Sequence, residues 1–147
     1  MPQEFVIHPS PTRTSNRLDA TVPGYKEGEW LPSVGGTATY AAQSGNWTKI
    51  GNRVFFDGVI AISAIGTGST TVISGLPFTS VRATSLYVHA SATLATAVVS
   101  ICAGLQTSAR TIVILSRTVA STQDFANDIF KDGTSLFVAG HYYTHEF

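Results

Sequence analysis

Charge is what this sequence has least of. Of 147 residues, nine are Lys or Arg and nine are Asp or Glu, so 12% are charged and the formal net charge is zero. That is about half the share of an ordinary globular domain. Nucleic acid binding needs a surplus of cations to neutralise phosphates, so its absence here argues against nucleic acid as a main partner. Monomers usually stay dispersed through surface charge. A chain that omits it is expected to bury surface against copies of itself.

Cysteine is nearly absent as well. Cys102 stands alone, which excludes an intrachain disulfide. It lies in the apolar run TAVVSICAGL and reads as a small buried core residue. A nucleophilic cysteine would want a nearby histidine and an electropositive setting. No apolar run reaches the roughly 18 residues of a membrane-spanning helix, and MPQEFVIHPS lacks the basic start and apolar centre of a signal peptide. The expectation is a chain made in a reducing cytoplasm that does not insert into membranes.

A catalytic or metal-binding constellation is missing too. In a strand, His141 and His145 share a face but lie roughly 13 Å apart along it, too far to hold one metal without a third ligand. Asp124, Asp128 and Asp132 would align on a helix, but Asp132 belongs to an Asp-Gly turn. Paired acids also need a pocket that separates their pKa values. DFANDIFKDG lacks the alternating oxygen ligands of a calcium loop, and Gly66–Thr70 (GTGST) lacks the lysine of a phosphate-binding loop. No enzyme activity, metal or cofactor is expected.

What is present is β structure. Residues 1–28 hold four of the six prolines, Pro2, Pro9, Pro11 and Pro23, with no sustained period. They read as an extended arm or linker. Residues 29–147 read as an all-β domain. Its strands are expected at Thr37–Gln43, Trp47–Ile50, Arg53–Ala64, Ser69–Ile73, Ser85–Ala90, Leu94–Ala103, Arg110–Arg117 and Leu136–Thr144, with a turn at Ser44–Asn46 and a short helical piece within Thr118–Lys131. Short strands at intervals of about 8–12 residues suggest an antiparallel sandwich of jelly-roll type. Arg53–Ala64 is apolar on both faces, so one face is expected to meet the core and the other another subunit. Gly51 is expected at positive φ in the turn before it, and Lys49 as a solvated or rim charge.

Several pieces occur in a familiar order. Gly28, Trp30 and Pro32 come first; then Tyr40, Gln43, Gly45, Trp47, Lys49, Ile50, Gly51 and Asn52; then Ile73–Phe78; then Gly140 and Tyr142. Their succession resembles the C-terminal domain of bacteriophage tail fibres and tailspikes. Trp47 stands where that family usually has tyrosine, and residues 79–129 match it only in general character. The resemblance implies a β-sandwich that assembles as a homotrimer. It also implies a place on the virion after assembly in the host cytoplasm, and a role in trimerisation or in binding a host cell-surface glycan or protein.

For recognition, exposed rings that can stack on sugars come first: Trp47, Tyr87, Tyr142 and Tyr143. Tyr142 and Tyr143 fall on opposite strand faces, so at most one of them faces the core. Loops come second, since they vary while the sandwich holds them. The loops at 79–85, 104–109 and 118–132 offer Arg82, Gln106, Gln123 and Asn127.

Overall fold

The structure, a computed structural model, describes residues 24–94, 98–118 and 129–147. Most of the expected arm (residues 1–23), the expected helical piece, Gln123 and Asn127 lie outside the described residues.

Eight antiparallel strands follow one another: β1 (Tyr25–Trp30), β2 (Thr39–Ile50), β3 (Arg53–Ala64), β4 (Val72–Ser74), β5 (Thr84–Ala92), β6 (Val98–Leu105), β7 (Thr111–Thr118) and β8 (Ser135–Tyr143). The all-β, antiparallel expectation holds, and no helix occurs among the described residues. In place of two separate layers, the strands form one continuous sheet in the order β1-β2-β3-β8-β5-β6-β7-β4. It curls into a half-barrel because β5 serves two neighbours. Thr84–Leu86 pairs with β6, and Tyr87–Ala92 pairs with β8. A Ser33–Ser74 bridge draws the chain after β1 toward β4, at the opposite end of the strand order. No described helix is long and apolar enough to cross a membrane.

Strand parity places the core. On β3, Val54, Phe56, Ile60 and Ile62 are buried; on β7, Ile112 and Ile114; on β8, Leu136, Val138 and Tyr142. The alternate residues of β3 look outward, and Phe55 is 40% exposed.

Four sequence expectations need correction. The segment Ser44–Asn46 is no turn: β2 runs straight through it, and Gly45 is there to admit a ring. Trp30, Gly45 and Gly58 are register partners across three strands, and the Trp30 indole lies across both glycines. A Cβ at Gly45 would come within 2.2 Å of Trp30 Nε1, and one at Gly58 within 2.7 Å of the same ring. The indole N–H donates to the Asp57 carbonyl at 2.8 Å. Residues 25–28, placed in the arm, pair with β2 as part of β1.

The other two concern single side chains. Cys102 is exposed, because Ala103 and Leu105 take the inward positions of β6. An unbroken apolar run hides that parity. Lys49 is buried rather than solvated, at 2% exposure. Its Nζ donates to the Gly51 carbonyl at 2.6 Å and lies 5.9 Å from the Phe78 ring centroid and 5.5 Å from that of Phe147. A long stem and a carbonyl partner let an ammonium end an apolar strand face. Gly51 does take positive φ, +59°, in a two-residue turn closed by Ile50 and Arg53.

Candidate functional site

Two outward surfaces can meet a partner, and both follow from strand parity. The first spans β3, β8 and β5. Phe55 pairs with His141, Val59 with Phe137, Phe137 with His89, and Ala139 with both Asp57 and Tyr87. Every one of these side chains points away from the core. Phe55, Phe137 and Tyr87 are 40%, 47% and 66% exposed. Phe55 and His141 lie 5.8 Å apart between centroids, and His89 and Phe137 lie 6.3 Å apart. The result is a field of rings on a sheet rigid enough to hold them in register. At its border Arg53 bonds the Tyr143 hydroxyl and lies over that ring at 4.8 Å, with the Arg82 guanidinium at 5.7 Å.

The second surface is an open notch of about 590 Å³ on the outer side of β5, β6 and β7. Ser85, Gly104, Val113 and Val72 form one register row across four strands. Ser85 and Gln106 add a hydroxyl and an amide group, Leu115 adds apolar wall, and Thr71, Ala83, Thr84, Leu105 and Ile114 complete the lining. No ionisable side chain lines it. Two of the three loops singled out in the sequence converge here. The Ser108 N–H donates to the Ser80 carbonyl at 2.7 Å, and the Ser80 N–H donates to the Ala109 carbonyl at 2.9 Å, which ties residues 79–85 to residues 104–109. Ser108 is the one described non-glycine residue at positive φ, +60°, where its amide can reach Ser80.

The sequence-derived candidates therefore scatter. Gln106 is exposed and lines the notch. Tyr87 stands in the ring field; Arg82 and Tyr143 stand at its edge. Trp47 is half-buried and pinned: its indole lies against Gly28, its N–H donates to the Glu29 carbonyl at 3.2 Å, and Phe78 meets it edge-on at 4.9 Å. Tyr142 is fully buried, so its ring has no free face. It and Tyr143 do occupy opposite faces. The Phe78 N–H donates to the Tyr142 hydroxyl at 3.3 Å, and burial pushes that phenol from its usual 10.0 up to about 12.

Sequence reasoning missed Phe137, His89 and Gly104. The parity of β8 was available: Leu136 and Val138 flank Phe137, and one of the two sets had to face out. Gly104 carried no signal of its own among glycines that serve turns.

Among the described residues no group of three or more His, Cys, Asp or Glu could hold a metal ion. Near the chain's end, Arg110 grips Glu146 through both carboxylate oxygens at 2.9 Å and the Thr79 hydroxyl at 2.9 Å. Hydrogen bonds from the Thr79 hydroxyl and amide, then the Arg110 guanidinium, hold Glu146 below the usual carboxylate range.

No protein-family model matches the chain, and no curated protein matches it. Among solved structures, the crystal structure of the Dettilon tailspike protein is similar. The superposition has a TM-score of 0.59 at 21% identity and covers 81% of this chain and 24% of that one. The fold of the described strands is thus one that also occurs within a phage tailspike, and the chain spans about a quarter of that protein's length.

Proposed function

We propose that this chain is a non-enzymatic module of a bacteriophage tail fibre or tailspike. It assembles as a homotrimer and recognises a host cell-surface receptor, with a glycan as the favoured class. It needs no cofactor or metal. The observation that carries the reading is the outward field of Phe55, Phe137 and Tyr87 on a fold that a tailspike also contains. Scarce charge and exposed rings on one rigid sheet are what a threefold assembly buries. Support also comes from the motif order, whose residues cooperate around Trp30. Gln43 Nε2 donates to the Pro32 carbonyl at 2.8 Å, and the Val34 N–H donates to the Tyr40 hydroxyl at 2.9 Å. Such a framework leaves loops and outer faces free to specialise.

Light scattering on the chain at micromolar concentration tests the assembly. The expected mass is three times the 15.6 kDa chain, and a stable monomer would sink it. Phe137→Ser together with Phe55→Ser is expected to break the trimer if the ring field is the contact. An array of bacterial surface polysaccharides tests recognition: trimer with no binding reduces the module to a structural cap. Turnover of any arrayed polysaccharide would refute the non-enzymatic reading.

A further inference from the structure

Five glycines lie within the strands. Four of them are required by their neighbours. A Cβ at Gly28, Gly45, Gly58 or Gly140 would strike a tryptophan or leucine side chain at 2.2–2.7 Å. Gly104 differs. A Cβ there would meet nothing closer than the Thr84 carbonyl at 3.8 Å, and its φ is not in the left-handed region. A strand-interior glycine weakens the strand, so Gly104 costs local stability while neither a close neighbour nor a left-handed φ requires it. Strand glycines mark bulges, tight bends or places where another molecule approaches the backbone closely, and the register of β6 with β7 is regular through Gly104.

Gly104 is also the floor of the notch. Between its register neighbours Ser85 and Val113, the missing side chain opens the middle of the row. Hydroxyl and amide groups stand on one side, with Val113 and Leu115 on the other, and nothing ionisable lines the space. From these observations we infer that the notch is a saccharide subsite for an uncharged sugar ring, seated with a C–H face on Val113 and Leu115 and its hydroxyls toward Ser85 and Gln106. Neutral lining excludes acidic sugars, since a carboxylate leaving water there would find no cation. Volumes of about 300–1,000 Å³ are the usual range of small-ligand sites. The inference rests on the glycan half of the proposed function and names its site and ligand class.

The test uses the 147-residue chain in saturation-transfer NMR. The probes are methyl glycosides of neutral hexoses, 6-deoxyhexoses and N-acetylhexosamines, with sialic and glucuronic acid as anionic members. At least one neutral glycoside is expected to receive saturation. Gly104→Val fills the floor without a clash and should weaken that glycoside by roughly tenfold or more, with melting temperature and oligomeric mass unchanged. Gln106→Ala, on an exposed turn, should weaken it by about severalfold and serves should the valine disturb the sheet. Cys102 is exposed, two residues from Gly104 on the same face of β6. The bound glycoside should therefore slow its alkylation by iodoacetamide. Binding of the anionic members alone overturns the inference. Neutral binding that survives both substitutions also overturns it, while leaving host recognition standing elsewhere on the surface. A changed oligomeric mass in Gly104→Val assigns the notch to a contact between copies instead. No binding by any probe overturns the notch and the glycan reading together, and the trimer is judged separately by mass.

Discussion

The two flanks of the curled sheet treat glycine in opposite ways. On the β1-β2-β3-β8 flank, each strand glycine lies under a ring or a leucine that a single methyl group would displace. On the β5-β6-β7-β4 flank, Gly104 lies under nothing. The first flank is fitted from within: Trp30 edges onto Phe56 at 5.8 Å, and Phe56 onto Tyr142 at 5.8 Å. Rings packed that way add specific geometry to their burial. The second flank is filled on its inner face by aliphatics such as Leu105, Ile112 and Ile114, while its outer face keeps an unfilled place. One flank is a framework that tolerates little, and the other has room to change.

Substitutions can break that contrast, beginning with the largest effect. Trp30→Ala empties a site that is 4% exposed and should cost about 3–5 kcal/mol. In thermal unfolding this would read as a fall on the order of 10 °C or more, and a fall of a degree or two would show that the framework does not depend on this ring. Gly45→Val comes next. Its Cβ must push the indole aside, and overpacking of that kind costs about 1–3 kcal/mol or more. Denaturant midpoints for Gly45→Val and Gly104→Val together give the direct comparison, and equal midpoints would erase the distinction between the flanks.

Tyr142 sharpens the contrast through pH. Its folded pKa is raised from 10.0 to about 12 by burial, so the unfolded chain gives up this proton first as pH rises. The stabilisation is whole below about pH 10 and disappears as pH climbs toward 12. It amounts to at most about 2–3 kcal/mol. Tyr142→Phe should flatten that alkaline decline while losing about 1 kcal/mol at neutral pH through the unpaired Phe78 amide. Chemical denaturation at several pH values above 9 reads both.

At the exposed end of the scale, Arg110→Ala should cost under about 1 kcal/mol, because both partners of its ion pair face water. Glu146 has a lowered pKa, so its share of stability is present above the ordinary carboxylate range and is lost as pH falls through the lowered value. The substitution should make acid unfolding slightly less steep. Gly104→Val closes the series near zero, or slightly stabilising through its better strand propensity.

How much of this was legible in the sequence depends on whether local pattern or distant packing decided a residue. Strand β3 could be read because its run of aromatic and β-branched residues is long and begins directly after the Gly51-Asn52 turn. Gly45 could not: between Ser44 and Asn46 it looks like a turn residue, and only Trp30, fifteen positions earlier, explains it. Lys49 misled for a related reason, since its carbonyl partner and the two rings near it come from a turn and from residues far along the chain. Cys102 and Phe137 turned on strand parity. In the uninterrupted run around Cys102 parity leaves no mark, whereas Leu136 and Val138 on either side of Phe137 do mark it. The notch had no sequence signature, because it is made by the absence of a side chain where three strands meet.

The position of β8 also bears on how the chain acquires its shape. This strand follows the other seven in sequence, yet it sits between β3 and β5 and joins them. Residues 53–61 must therefore wait for residues 135–143 before their second edge is covered. On a ribosome, the two halves of the sheet emerge without the strand that links them, each presenting an open edge to neighbouring nascent chains. Pairings so distant in sequence slow folding to the millisecond-to-second range typical of β proteins, and exposed edges during that interval invite association between copies. The order of synthesis therefore sets when a copy can first close its sheet and cover both of these edges. That moment comes only once the strand at residues 135–143 has docked.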